Sequence, residues 1–214
     1  MLNAALFDMD GLLLDSENVY AIGLKEVGRE LGYTITDEVL ALTIGADQAT
    51  IDACFGRDNP TYDGDTMRRA LGVWLRRNGY DQKMPLKPYA LEILQNLTAR
   101  GVQCALVTNT SRTIAEPYMR NVGMWTFFGA TVTGDLGLPG KPAPDVYLRA
   151  AKLLGVSIAR CAVVEDSYNG LRAGRAAGAV TIMVPDMIPY GSQIAPCCDY
   201  VAPTLREAEA FICR

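Results

Sequence analysis

Apolar residues along the chain follow two rhythms. The first begins with a short continuous run, Ala4-Ala-Leu-Phe7, which ends on Asp8 and predicts a buried strand. From about Ser16 to Met84 the spacing becomes helical. Val19, Ile22, Leu24, Val27 and Leu31 fall near one face, and Gly32 closes that helix. Asp37-Glu-Val-Leu40 and the stretch from Asp47 to Phe55 predict further short helices. Arg57 to Asp63 reads as a loop broken at Pro60, and Asp65 to Asn78 as a helix ended by Gly79.

After Pro85 the rhythm alternates. Helical patterns over Leu91–Ala99, from Ser111 towards Asn121, over Pro144–Leu154, over Gly170–Ala177 and from Leu205 separate apolar runs at Val102–Val107, Gly129–Val132, Cys161–Val164 and Ala179–Val184. Ser111 is the expected cap of its helix, and Tyr200-Val201 a last short strand. Strands separated by helices of this length predict an α/β fold, a mostly parallel Rossmann-like sheet with helices on both faces. The helical segment 16–84 is expected to form a second domain, inserted into a core made of 1–15 and 85–214.

Composition narrows the chemistry. Half of the 214 residues are hydrophobic and 21% are charged, a globular composition. No apolar run approaches the ~18 residues needed to cross a bilayer, so no membrane partner is expected. The start of the chain lacks the basic segment of an ordinary secretory signal. A net charge of −4 disfavours nucleic acid as a partner. Six cysteines without a CxxC pair point to reduced thiols and a cytoplasmic location. The chain contains no histidine. That excludes Ser-His-Asp hydrolysis, Cys-His thiol catalysis and His-rich zinc sites. Any general acid or base must then be Asp, Glu, Lys, Tyr or Cys.

In a parallel sheet, ligands sit beyond the carboxyl ends of the strands. The predicted strands end in Asp8-Met-Asp10-Gly11, Thr108-Asn109-Thr-Ser111 and Glu165-Asp166-Ser167, and a loop adds Gly140-Lys141-Pro142. Topology thus gathers four carboxylates and a lysine at one edge. Two unit charges ~4 Å apart repel by about 4 kcal/mol at an effective dielectric near 20, so a cation or a proton is required. Oxygen-only ligands select a hard ion, Mg²⁺ where phosphates react. Such a site suits a phosphate monoester, whose charge would repel an unassisted carboxylate nucleophile. Asp8 and Asp10, two apart, would share a face of an extended strand, one to attack phosphorus and the other to handle the proton.

Four segments carry a resemblance. Asp8-Met-Asp-Gly-Leu-Leu-Leu-Asp-Ser-Glu17, Val107-Thr-Asn109, Gly140-Lys-Pro-Ala-Pro-Asp145 and Val164-Glu-Asp-Ser-Tyr-Asn-Gly170 resemble, in order and spacing, the four motifs of the haloacid dehalogenase superfamily. The likeness is to its β-phosphoglucomutase-like phosphatases. It implies that Asp8 is the nucleophile and forms an aspartyl-phosphate. Asp10 would protonate the leaving alcohol, activate water, and offer its backbone carbonyl to Mg²⁺. Thr108, Asn109 and Lys141 would hold the phosphoryl group. Asp166 would bind the ion, with Glu165 beside it directly or through water. Residues 16–84 would be a helical cap that closes over the site and chooses the leaving group. The implied substrate is a small phosphorylated metabolite, a sugar phosphate first, and the implied state a monomer or weak homo-oligomer.

The resemblance also permits a sugar-phosphate mutase. Mutases of that family use a cap-hinge histidine and an arginine in a Gly-x-x-Arg stretch. Here Tyr20 and, in Gly45-Ala-Asp-Gln48, Gln48 occupy those positions, which weakens the mutase reading. A phospho-acceptor receiver would be about 90 residues shorter. Dehalogenation needs neither the ion nor Asp10. Asp15 and Glu17 read as hinge or rim residues, and Arg68, Arg69, Arg76 and Arg77 as a solvated helix face. Tyr89 stands where related sequences commonly place glycine.

Overall fold

The computed structural model describes residues 2–43 and 48–214. In chain order, β1 (Ala4–Phe7) precedes the helices α1 (Ser16–Glu30), α2 (Asp37–Ala41), α3 (Gln48–Asp58) and α4 (Gly64–Arg77). Then follow α5 (Ala90–Ala99), β2 (Gln103–Val107), α6 (Arg112–Asn121), β3 (Phe128–Val132) and α7 (Asp145–Leu154). The chain ends with β4 (Cys161–Glu165), α8 (Tyr168–Ala177), β5 (Val180–Met183), β6 (Tyr200–Val201) and α9 (Leu205–Ile212). The residues separate into two compact units, Ser16–Pro85 and the remainder, Met1–Asp15 with Leu86–Arg214. No described helix is long and apolar enough to cross a membrane.

The larger unit is a six-stranded sheet in the order β3-β2-β1-β4-β5-β6. All five pairings are parallel. It is a Rossmann-like α/β fold. The central strands read as unbroken apolar runs because both their faces are covered. Ala4, Leu6, Ala105, Val107 and Val163 pack on one face with Val146, Tyr147 and Ala150 of α7 and Ala173 of α8. Alternation sends Ala5 and Phe7 to the other face. On β2, Phe7 lies opposite Leu106; on β4, opposite Val164. One residue further, Asp8 is therefore level with Val107 and Glu165. From β1 the strand order runs one way through β2 and β3 and the other way through β4, β5 and β6, which makes the carboxyl edge here the topological switch point where ligands bind.

The entry and exit of the inserted segment are stitched together within this unit. Leu14 and Leu86 form an antiparallel bridge, and the Lys87 amide donates to Leu13 O at 3.0 Å. Lys87 Nζ reaches Asp15 Oδ1 at 3.1 Å and Asp186 Oδ1 at 2.6 Å. Asp15 thus has a structural partner.

In the smaller unit α1 packs on α4, with Gly23 against the Trp74 ring and the Trp74 indole N–H on Glu26 Oε2 at 2.8 Å. The stretch read as a loop from Arg57 behaves differently. Helix α3 runs on through Asp58, and Asn59 is buried. Its amide donates to Phe55 O and Thr34 O and accepts from the Thr34 amide at 2.7 Å, a long-range fastening that local pattern does not reveal. Helix α4 begins one residue earlier than its pattern indicates, because Asp63 caps it by accepting from the Asp65 amide at 2.9 Å. Arg68 is tied to Asp52 at 2.9 Å and Asp65 at 2.6 Å. Gly45, Ala46 and Asp47 lie outside the described residues; Gln48 opens α3.

Tyr89 has φ +69°, a conformation that favours glycine. Its side chain explains its presence. The ring lies under the Arg206 guanidinium of α9 at 4.5 Å, and its hydroxyl accepts from Asn96 Nδ2, which also donates to Glu209 Oε2. The residue joins α5 to α9 at the expense of backbone strain. Tyr89→Gly is expected to be more stable than Tyr89→Ala by about 1 kcal/mol, since both lose the contacts and only alanine keeps the strain. Urea denaturation of the two variants checks this; alanine equal to or above glycine would refute it.

Candidate active site

Beyond β1 the chain turns sharply. The amides of Leu13 and Leu14 both donate to Met9 O, and the Gly11 amide, at φ +75°, donates to Leu14 O. Because β1 ends at Phe7, Asp8 and Asp10 are not two positions of one strand, and their carboxylates take different partners. Asp8 is buried and accepts from Lys141 Nζ. Asp10 is half-buried, and its Oδ2 accepts from the Thr110 hydroxyl at 2.8 Å.

Lys141 comes from the loop before α7, and its side chain is only 4% exposed. Its ammonium donates to Asp8, to Glu165 Oε1 at 2.6 Å and to the Val107 carbonyl at 2.8 Å. Glu165, the last residue of β4, is fully buried. Its Oε1 also accepts from the Tyr147 hydroxyl at 2.6 Å; its Oε2 accepts from the Ser167 hydroxyl at 2.9 Å and the Ser167 amide at 3.2 Å. Both oxygens of Glu165 are therefore committed to protein donors. Oxygen atoms of Asp8, Glu165 and the buried Asp166 lie within 4.8 Å of one another, an acidic cluster able to hold a metal ion. The Asp10 carboxylate is not among them, so three of the four expected carboxylates converge.

Thr108 follows β2 and is buried. Its Oγ accepts from the Thr110 amide at 3.0 Å, which leaves the hydroxyl proton to be donated elsewhere. Asn109 uses its side-chain oxygen to accept the Lys141 amide at 3.1 Å, so its side chain fixes the lysine loop. A Cβ on Gly134 would lie 1.9 Å from the Asn109 carbonyl oxygen, which is why glycine stands there. Ser111 precedes α6 as expected, but its hydroxyl does not cap the helix. Asp135 takes that role, accepting the Arg112 amide at 3.0 Å.

Burial dominates the electrostatics. It pushes the Asp8 carboxyl up to about 8, against the pull of Lys141 and with the help of the Glu165 and Asp10 charges. Burial acts to lower Lys141, but the charges of Asp8 and Glu165 outweigh it and hold the ammonium firmly protonated. Tyr147 is held well above the ordinary phenol range by burial and by Glu165. One ammonium thus faces three buried carboxylates, and the site has a deficit of positive charge. A group of hard oxygen donors with that deficit fits a divalent cation such as Mg²⁺.

Asp8, Lys141, Glu165 and Asp166 thus converge at the sheet edge, Thr108 and Asn109 flank them, and Asp10 stands beside Thr110. Sequence reasoning passed over Tyr147, Thr110 and Ser167. Thr110 and Ser167 lie in the polar stretches that follow β2 and β4, whereas Tyr147 falls among the buried apolar positions of α7.

A parallel sheet with a buried carboxylate–lysine centre at its switch point is the arrangement of an α/β enzyme with an acidic site. Residues 2–178 match the model of the haloacid dehalogenase-like hydrolases, and the chain belongs to that family. Over 217 residues it is 26% identical to the phosphoglycolate phosphatase of Thiobacillus denitrificans, covering 99% of this chain and 96% of that one. It is 29% identical over 174 residues to the fructose-1-phosphate phosphatase YqaB of Escherichia coli, covering 81% and 91%. The crystal structure of a HAD family hydrolase from Deinococcus radiodurans, with bound phosphate and sodium, superposes with a TM-score of 0.82 at 29% identity, covering 99% and 95%.

Gly170 makes room for this centre. A Cβ there would fall 1.8 Å from Glu165 Oε1. Helix propensity alone would make Gly170→Ala stabilising by up to ~1 kcal/mol. Here it is expected to destabilise by roughly 1–3 kcal/mol through overpacking, read from the urea midpoint.

Proposed function

We propose that this chain is a Mg²⁺-dependent phosphomonoesterase that hydrolyses a small phosphorylated metabolite, sugar phosphates first, through an aspartyl-phosphate on Asp8. The observation that carries the reading is Asp8 itself: buried at the switch point, held by Lys141 and with a carboxylate oxygen of Asp166 within 4.8 Å of its own. The relatives named as phosphatases of phosphoglycolate and fructose 1-phosphate support the substrate class.

Asp8 and Asp166, with the Asp10 backbone carbonyl, would hold the ion. Glu165, whose oxygens are spent on Lys141, Tyr147 and Ser167, serves the lysine instead. When bound, the ion supplies the positive charge that keeps Asp8 ionised beside a phosphate dianion. An oxygen of Asp8 attacks phosphorus as the ester P–O bond breaks. Asp10 gives its proton to the departing alkoxide, then takes one from a water that attacks the aspartyl-phosphate. That second displacement returns Asp8 as a carboxylate and releases inorganic phosphate. Thr108 donates its free hydroxyl proton to a phosphoryl oxygen. Asn109 contributes its backbone N–H, its side chain being engaged with the Lys141 loop.

Asp8→Asn is expected to lower kcat on p-nitrophenyl phosphate by at least ~10³-fold, because the attacking group is gone. Retained turnover in a pure preparation would sink the assignment. A pH dependence follows as well. Without the ion the folded protein keeps a proton on Asp8 from about pH 4 to about 8, where the unfolded chain has released it, so stability falls as pH rises through that window. An ion held by Asp8 and Asp166 would favour the ionised form and so compete with that proton. The Mg²⁺ concentration giving half-maximal activity should therefore fall with rising pH, by up to about tenfold per unit between pH 6 and 8. Mg²⁺ should also raise the melting temperature more at pH 8 than at pH 6; equal shifts would contradict this electrostatic account.

A further inference from the structure

A lysine ammonium has three N–H donors. In Lys141 all three are placed, on Asp8, on Glu165 Oε1 and on the Val107 carbonyl. The proposed reaction needs one of them on a phosphoryl oxygen. Asp8 is the acceptor that can give way, because its oxygen is consumed in the new P–O bond. The other two contacts must then hold the ammonium in place. Val107 O belongs to the backbone of β2 and is fixed by the sheet. Glu165 is a side chain, so its hold on Lys141 depends on what fixes the carboxylate.

Ser167 fixes the far oxygen, Oε2. The oxygen that faces Lys141 has one other partner, the Tyr147 hydroxyl at 2.6 Å. Tyr147 is fully buried in the core between α7 and the sheet, with its ring centroid 5.4 Å from Lys141 Nζ. Packing alone asks for an apolar side chain at this point of α7, and phenylalanine would fill the volume. A buried hydroxyl is costly unless it is bonded, and this one is bonded to the carboxylate that anchors the lysine. We propose that Tyr147 is a positioning residue for phosphoryl transfer: its hydroxyl holds Glu165 Oε1 so that Lys141 is aimed at Asp8 and the transferring group. The hydroxyl also satisfies part of the charge on Oε1. Without it, Glu165 draws the ammonium towards itself and away from the nucleophile.

The inference rests on the phosphatase reading, and the test separates the two. Wild type, Asp8→Asn and Tyr147→Phe are assayed with Mg²⁺ on p-nitrophenyl phosphate. Wild type that releases no phosphate would overturn the phosphatase reading and this inference with it. Given wild-type turnover lost in Asp8→Asn, Tyr147→Phe should lower kcat by about tenfold and leave KM within about twofold. Inhibition by orthovanadate, which mimics the five-coordinate phosphoryl group, should weaken by the same factor, while inhibition by inorganic phosphate stays within about twofold. A merely structural loss would weaken both ions alike. In a Lys141→Met background, Tyr147→Phe should cause no further loss of vanadate binding, measured by calorimetry, because its effect runs through the lysine. A kcat within twofold of wild type, an equal weakening of vanadate and phosphate, or a full additive loss in the Lys141→Met background would each overturn the role assigned to Tyr147.

Discussion

Everything at the carboxyl edge of the sheet depends on one ammonium group placed among buried carboxylates. Lys141 Nζ touches both Asp8 and Glu165, and its side chain is almost wholly out of solvent. Two like charges ~4 Å apart cost about 4 kcal/mol at an effective dielectric near 20, so the acids could not be kept together and ionised without it. The fold supplies the geometry. With β1 between β2 and β4, residues from positions 8, 107 and 165 come level with one another, and the loop before α7 brings position 141 among them. No local segment could do this. The apolar strands are the frame on which remote charges are brought together.

The frame and the charges are built from shared atoms. The Ser167 hydroxyl accepts the Gly170 amide, capping α8, and gives its own proton to Glu165. The helix end and the orientation of the acid are therefore one feature, and Gly170 in the first turn of α8 is the space that the carboxylate fills. A similar economy holds on the other side, where the Asn109 side chain accepts the Lys141 amide and thereby binds the loop after β2 to the loop that carries the lysine. Removing any of these small polar groups alters both packing and electrostatics.

Much of this was legible in the chain. Ala4–Phe7 and Cys161–Val164 announce themselves as buried strands, and the acids that follow them can only face the ligand edge of a parallel sheet. Lys141, between glycine and proline, stands out for the same reason. What could not be read were the contacts between distant positions. Tyr147 follows the apolar period of α7 and looks like core, which it is; only the folded structure shows its hydroxyl on Glu165. Thr110 and Asp10 meet across a hundred positions. Asn59, in a stretch that reads as loop, is buried because Thr34 supplies its partners. Tyr89 breaks the backbone preference of its site, and the reason lies in α9. Local pattern reports periodicity and charge; it is silent about which hydroxyl meets which acid.

On the proposed reading, burial of Asp8 imposes two opposed demands. A carboxylate stripped of water is the better nucleophile, because no hydration shell must be shed as it approaches phosphorus. The same stripping favours the neutral acid, which cannot attack, and pushes Asp8 up to about 8. Lys141 alone does not reverse this, since Glu165 shares its charge. On that reading a second positive charge held beside Asp166 would be needed both to ionise Asp8 and to admit the substrate, itself an anion. Ionisation of the nucleophile and admission of the phosphate are thus governed by one variable, the local positive charge. That coupling explains why the acids are buried at all. Solvent-exposed carboxylates would stay ionised unaided, but water would screen the field that must hold a dianion against another anion.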